Sequence, residues 1–332
     1  MKYFTHLHLH TSYSLNSGTI KIDDLINIAK KKNISSLAMT DYLNIFGAVK
    51  FYNKCIMAHI KPIIGCEIPF IIQQNNRIDN IVLLCQNING YYNLNKILSS
   101  IHKSRSFNLG ASLELLKKYN TDLLCLSGAR KGLCGINTLQ TNIDATRKII
   151  ESISGIFTDR FYIEIDRTNR ANENEYNNIA LSYAKDLSLP IVASNDVLFI
   201  NDSDYEANEV KVSIIQKSKL DDRANQDEYS PNQYFKSQDE MRSLFKDQTS
   251  ALENISNIIE RCNFKFPKFK YHLPRFSNPT ENDNDQYFRD LCDDGLDAYL
   301  KSNDVDRSKY TDRLNNEISV IQKMGFASYF LI

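Results

Sequence analysis

Residues 6–10 read His-Leu-His-Leu-His, the spacing in this chain that most directly suggests chemistry. In an extended strand successive side chains point to opposite faces, so His6, His8 and His10 can share one face while Leu7 and Leu9 take the other. Two imidazoles so placed make a natural chelate for a divalent metal. A strand with a merely polar face is the other reading of the same pattern. Carboxylates stand after other short apolar runs: Asp41 after 36–39, Glu67 after Lys-Pro-Ile-Ile-Gly-Cys, and Asp196 after Ile-Val-Ala-Ser-Asn. Taken singly, each is an ordinary cap or turn residue. Taken with the histidines, they fall at equivalent strand ends, where barrel enzymes assemble their sites.

The elements that must hold these residues alternate between two periodicities. Strands are expected at 3–9, 36–39, 62–66, 81–85, 123–126, 161–165 and 190–193, from short apolar, β-branched runs. Between them lie helical stripes, one of Ile22, Leu25, Ile26 and Ala29 and another of Tyr176, Ile179, Ala180, Tyr183, Ala184 and Leu187. About seven βα units on a mainly parallel sheet imply an α/β fold, and a barrel more than an open sheet. From 202 to 262 the chain turns helical and polar, with Ile255, Ile258, Ile259 and Cys262 marking an amphipathic helix. Three of the seven prolines fall within 267–279, ahead of Thr-Glu-Asn-Asp-Asn-Asp, so a boundary is expected near residue 275. The closing stretch 324–332 stops inside an apolar run, whereas chain termini are usually polar and exposed, so the chain reads as an interrupted longer one.

Composition removes several classes of function. The 42% apolar content suits a packed core in a chain of 332 residues, and 40 basic against 40 acidic residues leave no chain-wide positive field to attract nucleic acid or an anionic membrane. No apolar run reaches the roughly 20 residues that span a bilayer, and the start MKYFTHLHLH lacks a secretory pattern, so the cytoplasm is the expected compartment, with no membrane partner. Cys55, Cys66, Cys85, Cys125, Cys134, Cys262 and Cys292 are odd in number and without a Cys-x-x-Cys pair, and they read as reduced core residues. Plentiful Asn, Ile and Lys with no tryptophan suggest drift in an AT-rich genome.

The ordered segments HLHLHTSYS, SLAMTDYLNIFGAVKFY, KPIIGCE, IVASNDVLFI, SPNQYFKSQDEM and ALENISNIIERCNF resemble the N-terminal part of the alpha subunit of bacterial DNA polymerase III. The resemblance spans essentially the whole chain. It implies a domain of the polymerase and histidinol phosphatase (PHP) type over residues 1–275. Its distorted (β/α)7 barrel would occupy about 1–200 and a helical C-terminal elaboration about 201–275. Residues 276–332, ending in IQKMGFASYFLI, resemble a linker and the start of the polymerase palm, ahead of its nucleotide-binding loop and catalytic aspartates.

Metal-loaded relatives in that family hold up to three divalent ions. Carried over one position at a time, the first ion's ligands match His8, His10, Glu67 and Asp196. The second would share Glu67 and use imidazoles where Asn80 and Ala129 stand, and the third would use Asp or His where Ser17, Tyr42 and Leu198 stand. Alanine and leucine have no lone pair to donate, and amide, hydroxyl and neutral phenol are weak substitutes for imidazole. Phosphoester hydrolysis of this kind uses neighbouring ions that generate hydroxide and clamp phosphate oxygens. The resemblance therefore implies a barrel with no catalytic residues of its own and at most one zinc or manganese ion. A metal-free cluster of ion pairs is the open alternative for the four surviving residues.

For the complete protein the resemblance implies template-directed DNA synthesis with magnesium in the palm. Its implied partners are a proofreading exonuclease subunit docked on the barrel, other replicase subunits including the sliding clamp, and primer-template DNA and dNTPs. A free-standing PHP phosphoesterase is the competing reading, and it calls for the full ligand set. A pure interaction module is a third. Weaker features have plainer uses: Tyr13 and Ser14 suit a turn or cap more than a nucleophile, and His59, His102 and His272 lack ligand-type neighbours. Gly128 and Gly132 match no nucleotide loop, and Lys30 to Lys32 suit a helix end.

Overall fold

The computed structural model describes residues 4–15, 17–72, 77–104, 109–140, 143–220, 228–267, 276–278, 283–303 and 305–332. The chain divides into two compact units, Met1–Phe266 and Pro267–Ile332. The boundary expected near residue 275, like His272, lies outside the described residues.

In the first unit six strands form one sheet in sequence order: β1 (Ser36–Met39), β2 (Lys61–Ile72), β3 (Arg77–Cys85), β4 (Leu123–Leu126), β5 (Phe161–Asp166) and β6 (Ile191–Ser194). The pairs β1–β2, β4–β5 and β5–β6 are parallel, whereas β2–β3 and β3–β4 are antiparallel. Nine helices belong with this sheet among the described residues: α1 (Ile22–Lys31), α2 (Ala48–Met57), α3 (Ile88–Lys103), α4 (Leu113–Tyr119), α5 (Ile143–Ile156), α6 (Glu173–Asp186), α7 (Tyr205–Gln216), α8 (Gln238–Leu244) and α9 (Thr249–Arg261). The architecture is a mixed α/β fold with a curled six-strand sheet and a helical C-terminal region. The departure from strict alternation is at β2 and β3, which pair directly in antiparallel register from Gly65 with Leu84 to Ile72 with Arg77.

These elements follow from their side chains. In α1 the buried residues are Ile22, Leu25, Ile26 and Ala29, one face of a 3.6-residue period, and Asp23 and Asp24 start the helix while Lys30 and Lys31 end it, as the helix dipole favours. The α6 stripe buries Tyr176, Ala180, Tyr183 and Ala184, with Ile179 and Leu187 packed against the core. Asn87 caps α3 by accepting from the amides of Asn89 at 2.9 Å and Gly90 at 3.2 Å. Ser237 and Glu240 form a capping box at α8. All four residues of β4 are buried, as expected of a strand covered on both faces. Helix α9 buries Ala251, Leu252, Ile255, Ile258 and Ile259 and packs against β6. Each such fully buried aliphatic side chain contributes about 1.5–3 kcal/mol. Six of the cysteines are buried, and all seven are free thiols.

The strand expected at 3–9 does not form among the described residues; a segment bent at Leu7 and His8 stands there instead. Leu9 makes a single parallel bridge to Val197, with His10 N donating to Val197 O at 2.9 Å and Val197 N to His8 O at 3.1 Å. On its other side Leu9 O accepts from Thr40 N at 2.9 Å, but Leu9 N donates to the Thr40 hydroxyl rather than to a backbone carbonyl. That side-chain bond interrupts the ladder. The segment nonetheless lies between the ends of β1 and β6, the two outer strands of the sheet, with Leu7 and Leu9 in the core.

The second unit holds α10 (Asn284–Ser302), α11 (Arg307–Lys323) and α12 (Ala327–Phe330). Phe288, Ile318 and Ala327 form its small core, with Leu314 and Ile321 packed beside them.

Candidate metal centre

Four side chains meet where the 7–11 segment crosses the sheet. His8 and His10 come from that segment, with their side chains 2% and 3% exposed. Glu67 comes from β2, and Asp196 lies two residues beyond β6, with a φ of +44. The Nε2 atoms of both imidazoles face the two carboxylates. His8 Nε2 lies 3.7 Å from Glu67 Oε1 and 3.9 Å from Asp196 Oδ1, and His10 Nε2 lies 3.5 Å from Glu67 Oε2 and 3.6 Å from Asp196 Oδ1. A tetrahedral ion with bonds of about 2.1 Å would hold its donors roughly 3.4 Å apart. The observed separations between imidazole and carboxylate are wider, so the donors would have to draw together to hold one ion. His8 Nε2 is buried and has no hydrogen-bond partner, the state of a ligand atom held ready. His8, His10 and Asp196 place their donors within 4.8 Å of one another. Glu67 borders both imidazoles, but its Oε1 also accepts from Asn80 Nδ2 at 2.8 Å.

Each ligand is held from behind, and sequence reading missed most of these supports. His8 Nδ1 bonds Glu164 Oε1 at 2.9 Å, and Glu164 Oε2 accepts from Gly128 N at 3.1 Å. With Nδ1 donating to that carboxylate, the Nε2 lone pair is left for a metal. Glu164 lies on β5, and a sequence signal existed in its place within the run Phe-Tyr-Ile-Glu-Ile-Asp, an acid inside an otherwise apolar strand. His10 Nδ1 bonds Ser14 Oγ at 2.8 Å, and Ser14 donates to Asp41 Oδ1 at 2.8 Å while accepting from Tyr42 N at 2.9 Å. Ser14 thus orients an imidazole and also closes the turn that the sequence suggested, its N donating to Thr11 O at 3.0 Å. Asp41 faces away from the ligand cluster and accepts from Thr11 N at 2.6 Å and Thr11 Oγ1 at 2.7 Å. Asp196 Oδ2 accepts from Arg170 Nη1 at 2.8 Å and Gln233 Nε2 at 2.9 Å, leaving Oδ1 turned toward the histidines.

Electrostatics follow from this geometry. For His8, burial lowers the pKa, but Glu164, Asp196 and Glu67 outweigh it and raise it to about 10. His10 is lowered to about 4 by burial and by the neighbouring His8. Burial raises Glu67. For Asp196 burial would raise the value, but Arg170, His8 and His10 hold it well below the usual carboxylate range. In the absence of an ion, a proton on His8 offsets part of the negative charge; an ion bound here would displace that proton.

Several expectations change with the structure. His6 does not join His8 and His10: its Nε2 bonds Lys236 O at 2.8 Å and its ring packs 5.0 Å from that of Phe235, since the interrupted strand breaks the common face. Burial lowers its pKa to about 4. Glu67 stands inside β2 rather than at a strand end, because β2 continues as a hairpin with β3.

The altered positions lie close by. Ser17, Leu198, Gly128, Lys131 and Tyr229 complete the lining of a cavity of about 20 Å³ around the four ligands. An adjoining polar cavity of about 300 Å³ is lined by Ser17, Tyr42, Glu67, Asn80, Lys131 and Asn137. Asn80 spends its amide on Glu67, and burial pushes the Tyr42 phenol up to about 12, so it stays neutral. Ala129 is buried in a 3₁₀ turn at φ +48, and Leu198 packs with Phe199, Val212 and Tyr229. Gly128, at φ +90, approaches β3 so closely that a Cβ would meet Asn80 O at 2.0 Å. The 128–132 loop is thus a tight backbone contact with the strand. His102 Nε2 bonds Leu43 O at 2.9 Å, and His59 sits at φ +56 after α2. Lys32 caps α1 and donates to Phe235 O at 2.6 Å.

Residues 6–168 match the PHP domain family, and residues 286–332 match the family described as the bacterial DNA polymerase III alpha NTPase domain. DNA polymerase III subunit alpha of Pseudomonas fluorescens is 36% identical over 341 residues, covering 99% of this chain and 29% of the relative. The same subunit of Escherichia coli K12 is 35% identical over 343 residues, with 99% and 29% covered. Among solved structures, an amidohydrolase from Chromobacterium violaceum with bound sulfate and no metal aligns at a TM-score of 0.41 and 12% identity, over 58% of this chain and 87% of that one. That likeness is too loose to bear on function. No described helix is long and apolar enough to cross a membrane. The chain spans about 29% of the length of its polymerase relatives. With ordered similarity over 99% of its residues, it belongs to the bacterial DNA polymerase III alpha-subunit family, as the N-terminal PHP-domain region.

Proposed function

We propose that residues 1–275 are the supporting and exonuclease-docking domain of a replicative DNA polymerase, a distorted (β/α)7 barrel with a helical elaboration over 201–275. Residues 276–332 begin the polymerase palm in this reading. The complete protein carries out template-directed DNA synthesis, with magnesium, primer-template DNA and dNTPs bound beyond Ile332, and joins the sliding clamp and other replicase subunits. The barrel holds one zinc or manganese ion through His8, His10, Glu67 and Asp196 and cuts no phosphoester.

The donor inventory at the barrel mouth carries this reading. His8, His10 and Asp196 bring their donors within 4.8 Å of one another with Glu67 beside both imidazoles, whereas Ala129 and Leu198 offer no lone pair, Asn80 is engaged with Glu67, and Tyr42 is a neutral phenol. A two-ion mechanism needs one ion to make hydroxide and another to clamp the phosphate, and these positions supply donors for one. Elemental analysis of protein loaded with manganese is expected to return no more than one ion per chain, and assays with aryl phosphates no manganese-dependent hydrolysis. Two or more tightly held ions together with phosphatase turnover would replace this reading with a PHP phosphoesterase. A binding assay with the exonuclease subunit tests docking, and failure of residues 1–275 to bind it would remove that role.

A further inference from the structure

The mouth of the site contains a cation that the ligand set does not use. Lys131 ends the 3₁₀ turn Ala129–Lys131, whose first residue stands at one of the lost imidazole positions. Its side chain lines the small cavity together with His8, His10, Glu67 and Asp196, and it lines the larger one together with Ser17, Tyr42 and Asn80. It therefore stands beside Ser17, Tyr42, Asn80 and Leu198, the positions where second and third ions have lost ligands. Glu228 forms an ion pair with its ammonium, which lies 5.3 Å from the centre of the Tyr229 ring, a cation–π distance. The side chain is 42% exposed, so the ammonium reaches solvent at the rim although it lines both cavities.

We propose that the Lys131 ammonium, anchored by Glu228 and Tyr229, is a tethered cation that takes the place of the missing ions and limits the mouth to a single metal. The proposal rests on the single-ion reading above. A divalent ion at the neighbouring position would face this fixed positive charge across a short distance, while Glu67, the ligand that the second ion would share, is already partly neutralised. Loss of the donors at Asn80 and Ala129 and a lysine in the same mouth act in one direction. Burial opposes a charge on Lys131, but Tyr229, Glu228 and Glu67 outweigh it and keep the amine protonated.

Equilibrium dialysis with manganese and elemental analysis of the 332-residue chain tests this with wild type, Lys131→Met and Lys131→Arg. Lys131→Met is expected to bind manganese at least about tenfold more tightly than wild type, the scale of one charge removed from a partly solvated site. Lys131→Arg, which keeps the charge, is expected to stay within about threefold of wild type, a difference under 1 kcal/mol. Melting in EDTA checks that each variant folds, and Lys131→Gln serves if the methionine does not. Equal affinity in wild type and Lys131→Met, with an ion bound by both, overturns the proposal and leaves the single-ion reading intact. Manganese bound by Lys131→Met and not by wild type removes the single-ion reading and, with it, the proposal that Lys131 limits the mouth to one ion. Absence of manganese from both overturns both.

Discussion

Replacing Glu164 by Gln tests the support behind the metal centre with the smallest possible change of shape. The carboxylate accepts on both oxygens, from His8 Nδ1 at 2.9 Å and from Gly128 N at 3.1 Å, in a fully buried place. An amide can accept at only one of these. If its oxygen stays toward His8, its NH2 meets the Gly128 N–H, and two buried donors face each other at a cost of about 1–3 kcal/mol. If it flips, its NH2 donates to His8 Nδ1, which forces the proton onto Nε2 and removes the lone pair that points at Glu67 and Asp196. The second outcome leaves no buried donor opposed and disables the ligand, although either arrangement removes the Glu164 charge that keeps a proton on His8 in the metal-free chain. Loss of such a support behind a metal-bound histidine weakens binding by about 10–100-fold. Manganese titration by calorimetry, paired with urea unfolding in EDTA, separates the two arrangements, since the unflipped amide loses more stability and the flipped one more affinity. A Glu164→Gln chain that binds manganese as wild type does and unfolds at the same urea concentration would refute the role assigned to Glu164.

In the metal-free chain, the His8 pKa of about 10 lies above its ordinary 6.5, so its stabilising contribution is full below pH 6.5 and declines as the pH rises toward 10. Between pH 6.5 and 8 His8 alone removes about 1.6 kcal/mol, while His6 and His10, lowered to about 4, and Lys236, lowered to about 8, each return about 0.4, so stability in EDTA is expected to fall by about 0.5 kcal/mol. Urea melts across that window check it, and a rise in stability with pH contradicts the assignment. Manganese affinity should climb over the same range, by about tenfold per pH unit, because the ion displaces the His8 proton. Gly128→Ala places a Cβ at 2.0 Å from Asn80 O at a φ of +90, and thermal melting should show a loss of at least about 2 kcal/mol. A wild-type melting temperature would show that the loop can move away from β3.

The secondary elements were largely legible before any coordinates. The four-residue runs at 36–39 and 123–126 became β1 and β4 with the same limits, and the stripe of Ile22, Leu25, Ile26 and Ala29 became the buried face of α1. Periodicity is a local property, so the sequence carries it in full. The donor types were also legible, because His8, His10, Glu67 and Asp196 are recognisable by kind and order, and the structure gathers them. Direction was not. Whether His6 shares a face with His8 depends on the bend of the chain at Leu7 and His8, which the alternating pattern of the sequence does not carry. Whether His8 presents a lone pair or a proton depends on Glu164, 156 residues away, and Asp196 is turned by Arg170 and Gln233. Composition and periodicity determined which atoms this chain can offer a metal. Long-range hydrogen bonds, which exist only after the strands have come together, decided which of those atoms converge and in what protonation state.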